Sequence, residues 1–183
     1  MIRYAVCILT LLAASGQAEN FEFEKAKPLG DGYYIRNLPF GGVQVSTGPE
    51  LSTPGWTALC EVDPMTDVRD CSVFHSSADL IINVDPAGIP KAVCIGRQKH
   101  PTYRAMLRVD QFAAQQADEE GCIPPSSVMW QLVKGKTFIA RRYEWPSEGP
   151  IDAKHSLDGL AKIMRMIVTK QLTIPEFQNP NLR

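Results

Sequence analysis

The stretch Trp56-Thr57-Ala58-Leu59-Cys60-Glu61-Val62-Asp63-Pro64-Met65-Thr66-Asp67-Val68-Arg69-Asp70-Cys71-Ser72-Val73-Phe74 decides the fold. Two β-prone runs, Trp56 to Glu61 and Arg69 to Phe74, flank the turn-like Asp63 to Asp67, and Cys60 and Cys71 sit symmetrically about that turn. Apolar and polar residues alternate in both runs, which predicts half-buried strands. Paired as a hairpin, the runs set the two thiols face to face within reach of a disulfide.

Moving outward, the chain has five cysteines. Cys7 lies in an N-terminal apolar run, Tyr4 to Ala14, preceded by Arg3 and followed by Gly16-Gln17-Ala18, which reads as a signal peptide over residues 1–18 cleaved before Glu19. No later stretch is long and apolar enough to suggest a membrane span, so a soluble exported protein is expected. Export carries Cys60, Cys71, Cys94 and Cys122 into an oxidising space, where cysteines are normally crosslinks. Four cysteines allow three connectivities. The hairpin favours Cys60 with Cys71, which leaves Cys94 for Cys122, each bridge being worth roughly 3 kcal/mol. No Cys-x-x-Cys pair and no histidine at ligand spacing support zinc or a redox dithiol.

The 19 basic and 20 acidic residues nearly cancel, so no global field points to nucleic acid or to an anionic membrane. Gly (13) and Pro (14) are spread along the chain, as short strands joined by turns require. The expected organisation is a signal peptide (1–18), an N-terminal leader with short strands (19–54), one β-rich domain (55–172) and a C-terminal tail (173–183).

Within that plan, Tyr33-Tyr34-Ile35 and Val43-Gln44-Val45 flank a turn. Its Gly41-Gly42 is no phosphate loop, since no Lys-Ser or Lys-Thr follows. Ser46 to Pro54 reads as a polar linker. Leu80 to Val84, Lys91 to Ile95 and Ala105 to Asp110 follow as strands through tight turns, which implies antiparallel pairing. Phe112 to Gly121 reads as a single helical turn or an irregular loop. Val128 to Val133 and Thr137 to Tyr143 flank Lys134-Gly135-Lys136 and predict a hairpin with Gly135 at positive φ. Trp145-Pro146 and Gly149-Pro150 then break the strand. One helix is expected, with Ser156 as N-cap, Asp158 in the first turn, Leu157, Leu160, Ile163, Met164 and Ile167 on one stripe, and Lys162, Arg165 and Lys170 outside.

No pattern demands chemistry. His75, His100 and His155 are in no metal or triad spacing, and no nucleophile elbow marks a serine. No catalytic residue, metal ligand or cofactor is assigned. The segment Arg97, Lys99, His100, Arg104 and Arg108 reads as a solvated strand face or as a surface for an anionic partner. Arg141-Arg142-Tyr143-Glu144-Trp145 is an amphipathic strand end whose Arg and Trp are typical interface anchors. Arg97, Arg104, Arg141 and Trp145 are the residues assigned to an interaction surface. Neither patch carries the stacking platform and sustained charge of a nucleic-acid binder.

Gly55-Trp56-Thr57-Ala58-Leu59-Cys60 followed by Cys71, Leu107-Arg108-Val109-Asp110, Gly121-Cys122, Leu132-Val133-Lys134-Gly135-Lys136 and Ser156-Leu157-Asp158-Gly159-Leu160, behind a signal peptide, resemble the invasion-associated locus B family of exported bacterial proteins. That family normally has a further cysteine shortly before the Gly-Cys pair; here Gln115 to Glu120 contains none, and Cys94 takes its place. The resemblance implies a disulfide-stapled β-sandwich-like domain in the periplasm or at the cell surface, in some members linked to host-cell entry, and supplies no catalytic residue. The fold expected is therefore mainly β, an antiparallel sandwich-like domain with one C-terminal amphipathic helix. The function expected is a non-enzymatic binding protein of the bacterial envelope with an envelope or host-surface partner. The alternatives are an envelope structural or stress factor without a specific ligand, and a hydrolase.

Overall fold

The computed structural model describes residues 25–38, 41–50, 53–96 and 100–168. The expected signal peptide, the first residues of the leader, Arg97, Lys99, Lys170 and the 173–183 tail lie outside the described residues. In chain order the strands are β1 (Lys27–Gly30), β2 (Tyr33–Asn37), β3 (Val43–Ser46), β4 (Trp56–Val62), β5 (Arg69–His75), β6 (Leu80–Val84), β7 (Pro90–Ile95), β8 (Met106–Val109), β9 (Gln115–Gln116) and β10 (Cys122–Ile123). Helix α1 (Pro125–Lys134), strands β11 (Thr137–Tyr143) and β12 (Pro150–Ser156), and helix α2 (Leu160–Val168) follow.

These strands form two antiparallel sheets. The larger has eight strands in the order β1-β2-β3-β4-β5-β6-β7-β10, and the smaller has four in the order β12-β11-β8-β9. Connections of two to nine residues between successive strands produce the order from β1 to β7 directly, because a short connection leaves antiparallel neighbours side by side, and β10 joins β7 after the chain has passed through the small sheet. The strands before the cysteine window join the same sheet, with Val43 opposite Cys60 and Val45 opposite Ala58. Helix α2 covers β4 and β5, and α1 lies against β7 and α2. One contiguous core results, whose largest fully buried side chains include Trp56, Phe138, Leu80, Ile82, Ile95, Leu107, Leu132 and Leu160. At roughly 1.5–3 kcal/mol for each buried side chain of this size, that core is the main source of stability.

Both bridges form as the spacing suggests. Cys60 stands opposite Cys71 with Cα atoms 4.1 Å apart, and Cys94 opposite Cys122 with Cα atoms 3.9 Å apart. They lie on opposite faces of the large sheet. Cys60 is buried and Cys71 packs against the core, whereas Cys94 alternates with the buried Val93 and Ile95 and so points outward.

Four local expectations are corrected. Residues 125–134 are a helix, not the first arm of a hairpin. Pro125 occupies the first turn, where its missing N–H costs nothing, and Val128 and Leu132, four residues apart, bury the same face with Gln131. The β-branched and aromatic residues of this stretch imitate a strand, but the period is helical. Gly135 has φ −74° and ψ 172°, an extended conformation open to any residue. It is glycine because of crowding: a Cβ there would lie 2.6 Å from Val109 Cγ1 and 2.7 Å from the Gln131 carbonyl. The partners of β11 are consequently β8 and β12.

Residues 150–156 also form a strand that the Gly149-Pro150 break conceals. Pro150 is its first residue, a position where a strand tolerates proline. At the second helix, Ser156 still belongs to β12. Its Oγ accepts the Asp158 N–H at 3.0 Å, and α2 begins at Leu160 after Gly159 turns the chain at φ 91°. The apolar stripe is as expected, with Leu157, Leu160, Ile163, Met164 and Ile167 all buried.

Candidate interaction surface on the small sheet

Alternation along the small sheet separates an inner face from an outer one. Leu107, Val109, Phe138 and Ala140 are buried against the core. Their neighbours Met106, Arg108, Ile139 and Arg141 point the other way, and with Ala114 and Asp152 they line a hollow of about 180 Å³. Arg141 lies directly opposite Asp152 and grips it with both arms of its guanidinium, Nε to Oδ1 at 2.6 Å and Nη2 to Oδ2 at 2.7 Å. That fork raises the Arg141 pKa and lowers that of Asp152, so both stay charged across the physiological range. Tyr143, two residues along the same face, adds a smaller contribution to raising the Arg141 pKa.

Tyr143 begins an aromatic group. Its ring stacks on Tyr103 with centroids 4.9 Å apart and planes at 23°. His100 lies beneath, 4.7 Å from Tyr103 and 5.5 Å from Trp145. The His100 Nδ1 accepts the backbone N–H groups of Thr102 and Tyr103, both at 3.2 Å, so the chain folds back over the imidazole and delivers Tyr103 to Tyr143. Trp145 is 65 % exposed at the edge of this group, and Tyr103 is 38 % exposed. An exposed indole beside a stacked tyrosine pair and a charged fork offers flat apolar area with polar groups at its rim, the composition of interface anchors.

The assigned residues therefore divide. Arg141 and Trp145 meet in one surface through Tyr143. Arg104 is drawn aside to Glu119, at 2.6 Å, and Arg97 lies outside the described residues. His100 is only 6 % exposed and so does not belong to a solvated basic strand face. Tyr103, Met106 and Asp152 were missed. The period-two run Ile139, Arg141, Tyr143 would have pointed to the hollow, but Asp152 needs β12 to be recognised first.

A second histidine cluster lies inside the sandwich. The His75 and His155 rings, from different sheets, have centroids 4.5 Å apart, and His75 also meets Trp56 at 5.2 Å and Phe138 at 5.7 Å. Burial, with the adjacent His155 adding to it, pushes the His75 pKa down to about 4. Its Nδ1 accepts the Ser77 N–H at 3.3 Å, which fixes the ring. Trp56 clamps the same junction by donating its indole N–H to the Ser156 carbonyl at 3.2 Å. These groups join the two sheets.

The stretches that carry the family resemblance prove to be joints of the fold. Asp110 accepts the N–H groups of Lys136 and Thr137 at 3.0 and 2.8 Å, which lowers its pKa and ties β8 to the start of β11 around Gly135. The Gly121 carbonyl accepts the Ile95 N–H at 2.8 Å, and the Cys122 N–H reaches Asp118 at 2.8 Å, locking β10 beside β7. Among the described residues no three His, Cys, Asp or Glu side chains gather as a metal ion would require, and no helix is long and apolar enough to cross a membrane. No protein-family model, curated protein or solved structure matches the chain.

Proposed function

We propose that this protein is an exported, non-enzymatic binding module of the bacterial envelope, working in the periplasm or at the cell surface, whose contact surface is the outer face of the small sheet. The single observation behind the reading is the meeting of exposed Trp145, the Tyr103–Tyr143 stack and the Arg141–Asp152 fork beside one hollow. Two disulfides fit an oxidising compartment. The resemblance to exported invasion-associated proteins adds host-cell association as a setting.

The test compares wild-type protein with a Tyr103→Ala/Arg141→Ala/Trp145→Ala variant, each crosslinked in whole cells and read by mass spectrometry. The expected result is loss of the dominant crosslinked neighbour in a variant that melts cooperatively. An unchanged set of neighbours removes this face as the contact surface.

A further inference from the structure

Strand β12 is the outer strand of the small sheet and, among the described residues, pairs with β11 alone. Its hydrogen-bonding phase follows from the backbone. The Leu157 N–H donates to the Lys136 carbonyl at 2.9 Å, so His155, Ala153 and Ile151 exchange bonds with β11, while the N–H and C=O groups of Asp152 and Lys154 point away from the sheet. These groups form an open edge seven residues long, the kind of template on which another strand pairs.

The residues along this edge are complementary to themselves. Antiparallel pairing of two copies about Ala153 sets Asp152 opposite Lys154 of the second copy, and Lys154 opposite its Asp152, on the outer face. Both positions are hydrogen-bonding ones, so the free backbone groups are satisfied together with the charges. On the inner face Ile151, 36 % exposed, is covered by the opposing His155. Pro150 has no N–H to donate, and it falls opposite Ser156, whose carbonyl already accepts the Trp56 indole. Lysine and proline on an edge commonly keep strands apart. Here each meets a group that accommodates it.

We propose that β12 is a homodimerisation edge, through which a second copy of this chain pairs antiparallel about a two-fold axis at Ala153. The small sheets of the two copies then become one continuous sheet, and the two Arg141–Asp152 forks lie on the same side of it. A single strand-to-strand contact is smaller than the interface of a permanent complex, so the dimer is weak and forms with concentration.

Sedimentation equilibrium on the purified protein, over roughly 1 µM to 1 mM, tests this. Wild type is expected to pass from monomer to dimer. Lys154→Glu places a carboxylate opposite Asp152, and Asp152→Lys places two lysines opposite each other, so each variant alone stays monomeric across the range. An equimolar mixture of the two restores opposite charges in both pairs and recovers the dimer. Lys134→Glu, at the end of α1, is the control and dimerises like wild type. As an independent readout, Ala153→Cys sits on the axis and is expected to form an interchain disulfide under mild oxidation. Monomeric wild type at every concentration, dimers of undiminished strength in Lys154→Glu, or an Ala153→Cys protein that does not crosslink each overturns the proposal.

Discussion

Removing the Cys94–Cys122 bridge with paired alanines should cost more in chain entropy than removing Cys60–Cys71, but the two losses should differ in kind. The bridged residues are 28 apart in one case and 11 in the other, so closing the loops withdraws about 3.6 and about 2.8 kcal/mol from the unfolded chain. Cys60 lies in the core, and its loss adds a small cavity worth on the order of 1 kcal/mol, which brings the totals close together. At about 2–4 °C per kcal/mol for a domain of this size, either variant should melt on the order of 10 °C lower. The distinction lies in locality. Strand β10 has only two residues, opposite Cys94 and Val93, and is held by the bridge, the Asp118 and Gly121 turn and the single buried side chain of Ile123. Hydrogen exchange should therefore rise first at the Ile95 and Cys122 amides in Cys94→Ala/Cys122→Ala. In Cys60→Ala/Cys71→Ala the pattern should be unchanged and only the global limit should fall. Urea unfolding supplies the totals and mass-resolved exchange the pattern. A reduced protein with the melting temperature of the oxidised one would refute the reasoning, as would identical exchange maps for the two variants.

Other outcomes follow from single residues. His75 is held neutral with its pKa near 4 against an unfolded value of about 6.5, so between these the unfolded chain binds the extra proton and stability falls as pH falls. The full shift is worth at most about 3 kcal/mol, and local opening that lets water reach the protonated ring reduces the realised loss to on the order of 1–2 kcal/mol; urea midpoints measured from pH 7 to pH 4 should show this slope, and His75→Gln should flatten it. Gly135→Ala drives a methyl into Val109 and the Gln131 carbonyl and should destabilise by about 1–3 kcal/mol, measured by thermal melting, despite an ordinary backbone conformation. Trp145→Ala removes an exposed side chain and should change stability by less than about 0.5 kcal/mol, so that any loss of binding in this variant is not a loss of folding.

The parts of the fold that were legible are those where one local pattern suffices. The Cys60–Cys71 hairpin was readable because alternation, turn and thiol symmetry all point to one register, and the Leu160 to Ile167 stripe because its period is unmistakably helical. Helix α1 was not, since Val128, Trp130 and Val133 have strand-like chemistry and the helix is chosen by a tertiary demand, the burial of Val128 and Leu132 against β7 and α2. That one error propagated. Read as a strand, Val128 to Val133 already pairs with β11, nothing then requires β12, and Asp152 has no reason to stand beside Arg141.

The same logic explains why the candidate surface was harder to see than the fold. The most patterned stretches, around Gly55-Trp56, Val109-Asp110, Gly121-Cys122, Gly135 and Ser156, are where the chain must turn tightly, approach itself closely or satisfy a buried donor, and such demands leave strong marks on residue type. Tyr103, Tyr143, Trp145 and the Arg141–Asp152 fork come from two strands and two loops that meet only after the sandwich closes, and none is constrained by its own neighbours in sequence. Arg141 and Trp145 could be singled out because their residue types favour interfaces; Arg104, chosen on the same ground, pairs with Glu119 away from the aromatic group, whereas Arg141, on the strand that carries Tyr143, pairs with Asp152. Residue type alone selects candidates for contact, and where each charge pair sits in the fold decides which of them lie together on one surface.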